Sequence, residues 1–307
     1  MKNVIDRYSI TTIFFGIISI ALITFFPSQE TDSGLSTKLF FSALLIGYLY
    51  FTILYKNDYV KKRATSDITI IIFLLLVLWE LLTQKLGVLS TFLYPSLHAV
   101  IEQFKADGIE LFIHLSASIK LLASGVFLAI ILGIPLGIYA AMNKRLEFVL
   151  RPIANVLSPI PPIVWIPYAV AILPSFQASS TFIIFIGAFW PIFINTLNGV
   201  TNIDQRYIKS AQTLGLKPWT MIRKIIFPAS LPSIFTGIQV GLILSFILLT
   251  AAEMIGSSAG IGYYVKLATD YGNYAKVITG IIFIGFIVTI IMTVFNKLEN
   301  YLLRWRN

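Results

Sequence analysis

Long apolar runs dominate this chain, and its polar residues gather in short clusters between them. A helix that crosses a bilayer needs about 17 to 25 mostly apolar residues. Stretches near that length lie at 10–26, 39–55, 68–82, 115–142, 153–173, 181–197, 234–252 and 275–295. Lipid admits only helices and closed barrels, and barrel strands alternate between apolar and polar positions. These runs do not alternate. The pattern therefore predicts an all-α integral membrane protein with about eight transmembrane helices.

Two polar-rich segments are long enough to hold structure of their own. Residues 87–114 contain a turn at Tyr94-Pro95-Ser96, and the residues after it place apolar positions at helical spacing. They predict an amphipathic helix on the outer face, with His98 and His114 as interfacial histidines. Residues 201–233 separate the sixth and seventh runs. Here Asp204 is placed to cap a helix that runs through about Leu214, and Gly215 suits the left-handed residue that ends one. Lys217-Pro218-Trp219 begins a second helix, with proline in its first turn. Pro228 and Pro232 are expected to end that helix before the seventh span.

Composition agrees with a membrane setting. Apolar residues make up 57% of the 307 and charged residues 12%, against about 25% charged in a soluble domain. The net charge of +9 would suit a nucleic-acid partner, but the positions of the charges do not. With the N-terminus inside, every lysine and arginine except Lys38, Lys85, Lys105, Lys120, Lys266 and Lys276 falls on a cytoplasmic segment. That is the positive-inside distribution, with both termini cytoplasmic, and it leaves no basic patch for nucleic acid. The chain has no cysteine and two histidines, which removes disulfides, thiolate metal sites and cysteine nucleophiles. No small-residue cleavage site follows the first apolar run, so an anchored span is expected there and not a removed signal.

The segment Lys209–Pro232 carries a resemblance. Ala211, then Gly215 after three residues, Ile225 after nine more and Pro228 after two more follow the loop pattern of ABC-importer permeases, Glu-Ala-Ala-x3-Gly-x9-Ile-x2-Pro. Lys209 and Ser210 depart from it, standing where the pattern has glutamate and its first alanine. The runs HLSASIKLLASGVFLAIILGIPLGIYAAMNK, SPIPPIVWIPYAVAIL and AAEMIGSSAGIGYYVKLA also resemble that family, in its nitrate/sulfonate/taurine subgroup. The resemblance covers about 67–307.

It implies a type I importer core of six helices over 67–307, with residues 1–62 as an extra N-terminal pair. It implies that the loop at about 204–228 couples to a cytoplasmic ATPase dimer through Ser210, Ala211, Leu214, Gly215, Ile225 and Pro228. A second permease copy, an extracellular solute-binding protein and a bacterial cell membrane complete the implied assembly. The solute is expected to be small and anionic, of the sulfonate, nitrate or taurine kind, or a vitamin precursor. ATP is used by the partner, and no cofactor or metal is expected on this chain. In keeping with that, no GxxxxGK[ST] phosphate loop is present, since 256–262 reads GSSAGIG and lacks the lysine. The chain is thus expected to be a transport subunit and not an enzyme. A secondary transporter or channel is the competing reading, but it gives the long loop no role and finds almost no titratable residue within the spans.

Other features admit two readings each. Pro159, Pro161, Pro162 and Pro167 crowd one span, and broken backbone is tolerated in a membrane where it lies in protein or lines a cavity. Pro161, Pro162, Trp165 and Tyr168 are therefore candidates to line the pathway, or the prolines serve a packing kink. Phe189 and Trp190 are pathway candidates or core aromatics. Glu253 either serves an outer gate or bonds the Gly-Ser turn that follows it. Gly133 and Gly137 form a small-xxx-small pair suited to close helix packing.

Overall fold

The computed structural model describes residues 59–306 and, before them, residues 16, 17, 42, 46 and 48. The first two expected spans, 10–26 and 39–55, and the N-terminal pair they would form therefore lie outside the described residues. Among the described residues every regular element is helical. In chain order these are α1 (Tyr59–Glu80), α2 (Leu97–Ala106), α3 (Gly108–Met142), α4 (Lys144–Leu157) and α5 (Ile166–Ile172). They are followed by α6 (Phe176–Thr201), α7 (Gln205–Thr213), α8 (Pro218–Gly256), α9 (Ile261–Asp270) and α10 (Tyr274–Leu302). Five helical stretches among the described residues are long and apolar enough to cross a membrane: Arg63–Gln84, α3, α6, α8 and α10. A sixth span is available if α4 and Pro162–Ile172 are taken together, but these pieces are bent by 80°.

The chain divides into two compact units. One holds Ala268–Thr279 with the described residues up to Gly108, and the other holds Ile109–Leu267 with Gly280–Asn307. In the first unit α1 runs into a π-type turn at Leu81–Lys85. Trp79 donates its indole N–H to the carbonyl of Pro95 at 3.0 Å, which fixes the turn before α2. Ser96 caps α2 by accepting the N–H of Ala99 at 3.1 Å. Asp107 ends that helix and pairs with Lys276 at 3.3 Å. This corrects the single surface helix expected up to His114. The backbone turns at Asp107, and residues 108–114 form the first turns of α3, which puts His114 in the second unit.

The second unit is built on α3, α6 and α8. Leu122, Val126 and Ala129 of α3, Ile184, Ala188 and Ile192 of α6, and Leu242 and Leu249 of α8 form one buried cluster. An apolar side chain gains little by leaving lipid for protein, so close packing and interhelical polar contacts hold such helices together. Small residues allow the approach. A Cβ on Gly137 would stand 2.8 Å from Cβ of Thr196, and one on Gly237 2.9 Å from the carbonyl of Pro191. The Gly133/Gly137 pair is thus used for packing α3 on α6. Ser124 and Thr181 add a hydroxyl hydrogen bond of 3.0 Å across the same pair of helices.

The prolines of the span expected over 153–173 break its backbone, as their crowding suggested, between Leu157 and Pro162, and a second expectation about proline is corrected. Pro159, Pro161 and Pro162 remove three donors within four residues, and Pro161 itself adopts an extended backbone (φ −61°, ψ 117°). By contrast, Pro228 and Pro232 do not end a helix, because α8 is continuous from Pro218 to Gly256. A π-type turn at Ile222–Ile226, closed by Phe227 N–H to the carbonyl of Ile222, resets the hydrogen-bond ladder. Pro228 then stands in the first turn of the α-helical stretch that resumes, where an N–H is not required.

Candidate functional site

The segment between α6 and α8 is held by its own backbone chemistry. Asp204 Oδ1 accepts the N–H of Arg206 at 2.8 Å, so its side chain caps α7. The Arg206 guanidinium lies 2.7 Å from Oδ2, and this hydrogen-bonded cation holds the Asp204 carboxyl below its ordinary range. At the other end Leu216 N–H donates to the carbonyl of Ala211 at 3.2 Å, and Gly215 N–H to that of Gln212 at 2.9 Å. That pair of bonds is a Schellman motif, which needs a left-handed residue. Gly215 supplies it with φ +67°. Pro218 then opens α8 at its first position.

One side of this elbow is anchored and the other is bare. Ile208, Met221 and Ile222 pack on a cluster of Ile138, Val200, Ile203 and Ile226. Ala211 is buried as well. Tyr207, Leu214 and Trp219 are 66%, 77% and 72% exposed. Ser210, Ala211, Leu214 and Gly215 are thus brought together at the elbow. Ile225 and Pro228 lie further on, in α8, where they share a cleft with Asp204 and Tyr207.

The broken span presents two faces. Ile166 and Ala169 of α5 bury against Ile183, Leu248 and Ala252. Trp165 and Tyr168 project on the other side, both exposed, with ring centroids 6.3 Å apart edge to face. Pro161 is exposed and Pro162 half-buried. Phe189 and Trp190 join a different group. Their rings, 5.0 Å apart, continue to Phe185 and Phe193 within the packing of α6.

Glu253, at the end of α8, is 1% exposed and both its oxygens are bonded. Oε1 accepts the Ser118 hydroxyl of α3 at 2.6 Å, and Oε2 accepts the N–H of Gly262 at 2.8 Å. Ser118 Oγ in turn accepts the N–H of Ile261 at 2.9 Å. The N–H of Gly260 donates to Nδ1 of His114 at 3.1 Å. The carboxylate thereby satisfies the open N-terminus of α9, where a negative group is favoured. Gly260, with φ +115°, admits no side chain, because a Cβ would lie 2.3 Å from the Glu253 carboxyl. The Glu253 side chain thus reaches past the Gly-Ser turn to the first turn of α9 and across to α3. Ser118 and Gly262 were missed as its partners, and His114 as the acceptor of the Gly260 N–H. A serine inside an apolar run and a third glycine in GSSAGIG were the available signals.

Among the described residues no group of three or more His, Asp or Glu could hold a metal ion. Residues 133–306, which include the elbow, the broken span and Glu253, match the family described as binding-protein-dependent transport system inner membrane component. The chain belongs to that family. Its relatives place it in the nitrate/sulfonate/taurine subgroup of ABC-importer permeases. The nitrate import permease protein NrtB of Leptolyngbya laminosa is 35% identical over 73% of this chain and 83% of its own length. The putative aliphatic sulfonates transport permease protein SsuC of Bacillus subtilis is 34% identical over 76% of this chain and 85% of its own. The fold matches a chain of the MetNI methionine ABC transporter, solved in inward-facing conformations, with a TM-score of 0.54 at 19% identity. That match covers 62% of this chain and 95% of the other.

As an ABC-importer permease the chain is a multi-pass membrane protein and a transport subunit, not an enzyme. The all-helical architecture expected from the sequence is observed among the described residues, and the fold matches that of an importer permease.

Proposed function

We propose that this permease forms the translocation pathway for a small anionic solute of the sulfonate, nitrate or taurine kind, or for a vitamin precursor. A separate ATPase dimer drives it from the cytoplasm, and an extracellular binding protein delivers the solute. Two copies of the chain pair by two-fold symmetry around the pathway, with both termini cytoplasmic. Trp165 and Tyr168, beside the break at Pro161 and Pro162, line the pathway. Phe189 and Trp190 support it from within the packing of α6.

The observation that carries this reading is the elbow at Gly215. Leu214 and Trp219 stand bare on a segment that is otherwise polar and internally bonded, and its opposite side is anchored to α3, α6 and α8. A rigid apolar projection on a lever of this kind fits a groove in a partner, and movement of the partner would be carried into the spans. Ser210, Leu214 and Gly215 form the projection, Ala211 anchors its buried side, and Ile225 and Pro228 lie on the arm that returns to the membrane.

The chain has no cysteine, so Leu214→Cys creates a single thiol. In membranes that contain the ATPase encoded with this permease, a thiol-to-amine crosslinker should join the two chains, and a cysteine on the opposite outer end should not crosslink. A transport-competent complex in which Leu214→Cys never reaches the ATPase would sink the coupling role.

A further inference from the structure

A cleft of about 870 Å³ opens at the coupling-loop end of the second unit. Its walls come from four elements: Asn202 and Asp204 after α6, Tyr207 of α7, the first part of α8, and Glu299 with Trp305 at the end of α10. The α8 wall consists of Ile225, Pro228, Ala229, Pro232, Ser233 and Thr236. Those positions recur every three or four residues and form one helix face. The exposed face of the same helix further along carries Val240, Ile243, Leu244 and Ile247, which suit lipid. The cleft face differs in kind. It bears two hydroxyls, and Pro232 inside the helix withdraws an N–H donor, so the carbonyl one turn back loses its helical partner. Backbone of this kind is tolerated at membrane depth only against protein or water.

The charges in the cleft say what it can hold. Asp204 is committed to Arg206 and to the α7 backbone. Lys224 on α8 and Glu299 on α10 also line the cleft, and the ion pairs and hydrogen bonds among the described residues involve neither side chain. One cation and one anion, on different helices, thus face a single water-accessible space large enough for a small ligand. We propose that this cleft is a solute site at the inner end of the pathway. It takes a small zwitterion, with Lys224 receiving the anionic group and Glu299 the ammonium. The proposal rests on the pathway reading above and narrows its solute to an anion that also carries a positive charge.

The test reads chemistry in the cleft and not uptake, so its failure is distinguishable from failure of the pathway reading. Thr236→Cys and, as a second position, Ala229→Cys each place one thiol in the cleft of the assembled transporter in inside-out vesicles. Anionic and cationic methanethiosulfonates should both label it. Adding Lys224→Gln should slow the anionic reagent and Glu299→Gln the cationic one, each by about tenfold, the lower end of charge focusing in a cleft. Millimolar taurine should protect the thiol, and ethanesulfonate or ethylamine alone should protect it much less. The site is overturned if neither thiol labels in the assembled transporter, or if labelling ignores both charge changes. The zwitterion assignment is overturned if taurine protects no better than the singly charged compounds.

Discussion

The Glu253 carboxylate lies 2.8 Å from the backbone N–H of Gly262 and 2.6 Å from the hydroxyl of Ser118, 135 positions earlier in the chain. One buried side chain therefore fixes the end of α8, the start of α9 and the first part of α3 to one another. Glu253→Ala should lower thermal stability in detergent by about 2–4 kcal/mol, because it strands a buried hydroxyl and a helix N–H. Glu253→Gln should lose less. Its amide oxygen can still accept from Gly262, but its NH2 meets Ser118 as a donor where the carboxylate was an acceptor. Equal melting of the alanine variant and the parent would show that the bonds contribute nothing.

Gly215→Val should leave the protein in the membrane and abolish coupled transport. A Cβ there meets nothing within 4 Å, so the penalty is conformational and not steric. A left-handed backbone costs an L-residue roughly 1–2 kcal/mol, and a β-branched one more. Gly215→Asn, which tolerates that region better, should retain part of the activity. Uptake in proteoliposomes with the ATPase and binding protein distinguishes the three. Full uptake by the valine variant would remove the elbow from the mechanism.

Gly237→Ala should destabilise the second unit, because the new methyl would lie 2.8 Å from Cβ of Asn195 and 2.9 Å from the Pro191 carbonyl. Overpacking of this kind costs about 1–3 kcal/mol. Gly285→Ala is the control, since nothing lies within 4 Å of its Cβ position on α10. It should be neutral, or stabilising by up to about 1 kcal/mol through helix propensity. Melting curves that rank the two in the opposite order would contradict the packing of α8 on α6.

Order in α7 should depend on pH only under strongly acid conditions. The Arg206 side chain and backbone hold Asp204 below 3.8. A carboxyl lowered on folding contributes stability above its unfolded value, and that contribution is lost as pH falls through the folded one. Amide exchange over residues 205–213 should thus be unchanged from neutral pH to about pH 5 and rise below pH 4. Asp204→Asn should flatten this acid response while keeping a capping side chain.

Single cysteines at Trp165 and Tyr168 should be labelled by water-soluble thiol reagents in the assembled transporter and protected during transport. Cysteines at Ile166 and Ala169, on the buried side of α5, should resist labelling. Labelling only by lipid-soluble reagents at Trp165 and Tyr168 would assign that face to lipid.

Much of the scaffold was legible because its signals are local. The capping side chain of Asp204, the left-handed glycine at 215 and the proline that opens α8 each act within a few residues of themselves, and each is observed. Proline was harder to read, because its effect depends on neighbours. Clustered at 159–162 it breaks the span, but at 228 it is absorbed by a π-type turn just before it, which no local pattern announced. The surface helix expected to His114 failed for a related reason. Apolar spacing continues through Asp107 without showing where the backbone turns.

By itself the sequence determined the solvent, the helical class, the approximate spans among the described residues and the helix–glycine–helix elbow between α6 and α8. These follow from hydropathy, from the need to satisfy every backbone group in lipid, and from short-range capping chemistry. Only the tertiary structure decided the rest. The sequence left Glu253 between a gate and a structural bond, and its partners come from two other helices, α3 and α9, which meet it only after α3, α6 and α8 have packed. That Lys224 and Glu299 line one cleft is likewise invisible in the chain. Charges 75 positions apart come to face one cleft only through helix packing, which is set by glycines that let backbones approach and by where each helix bends.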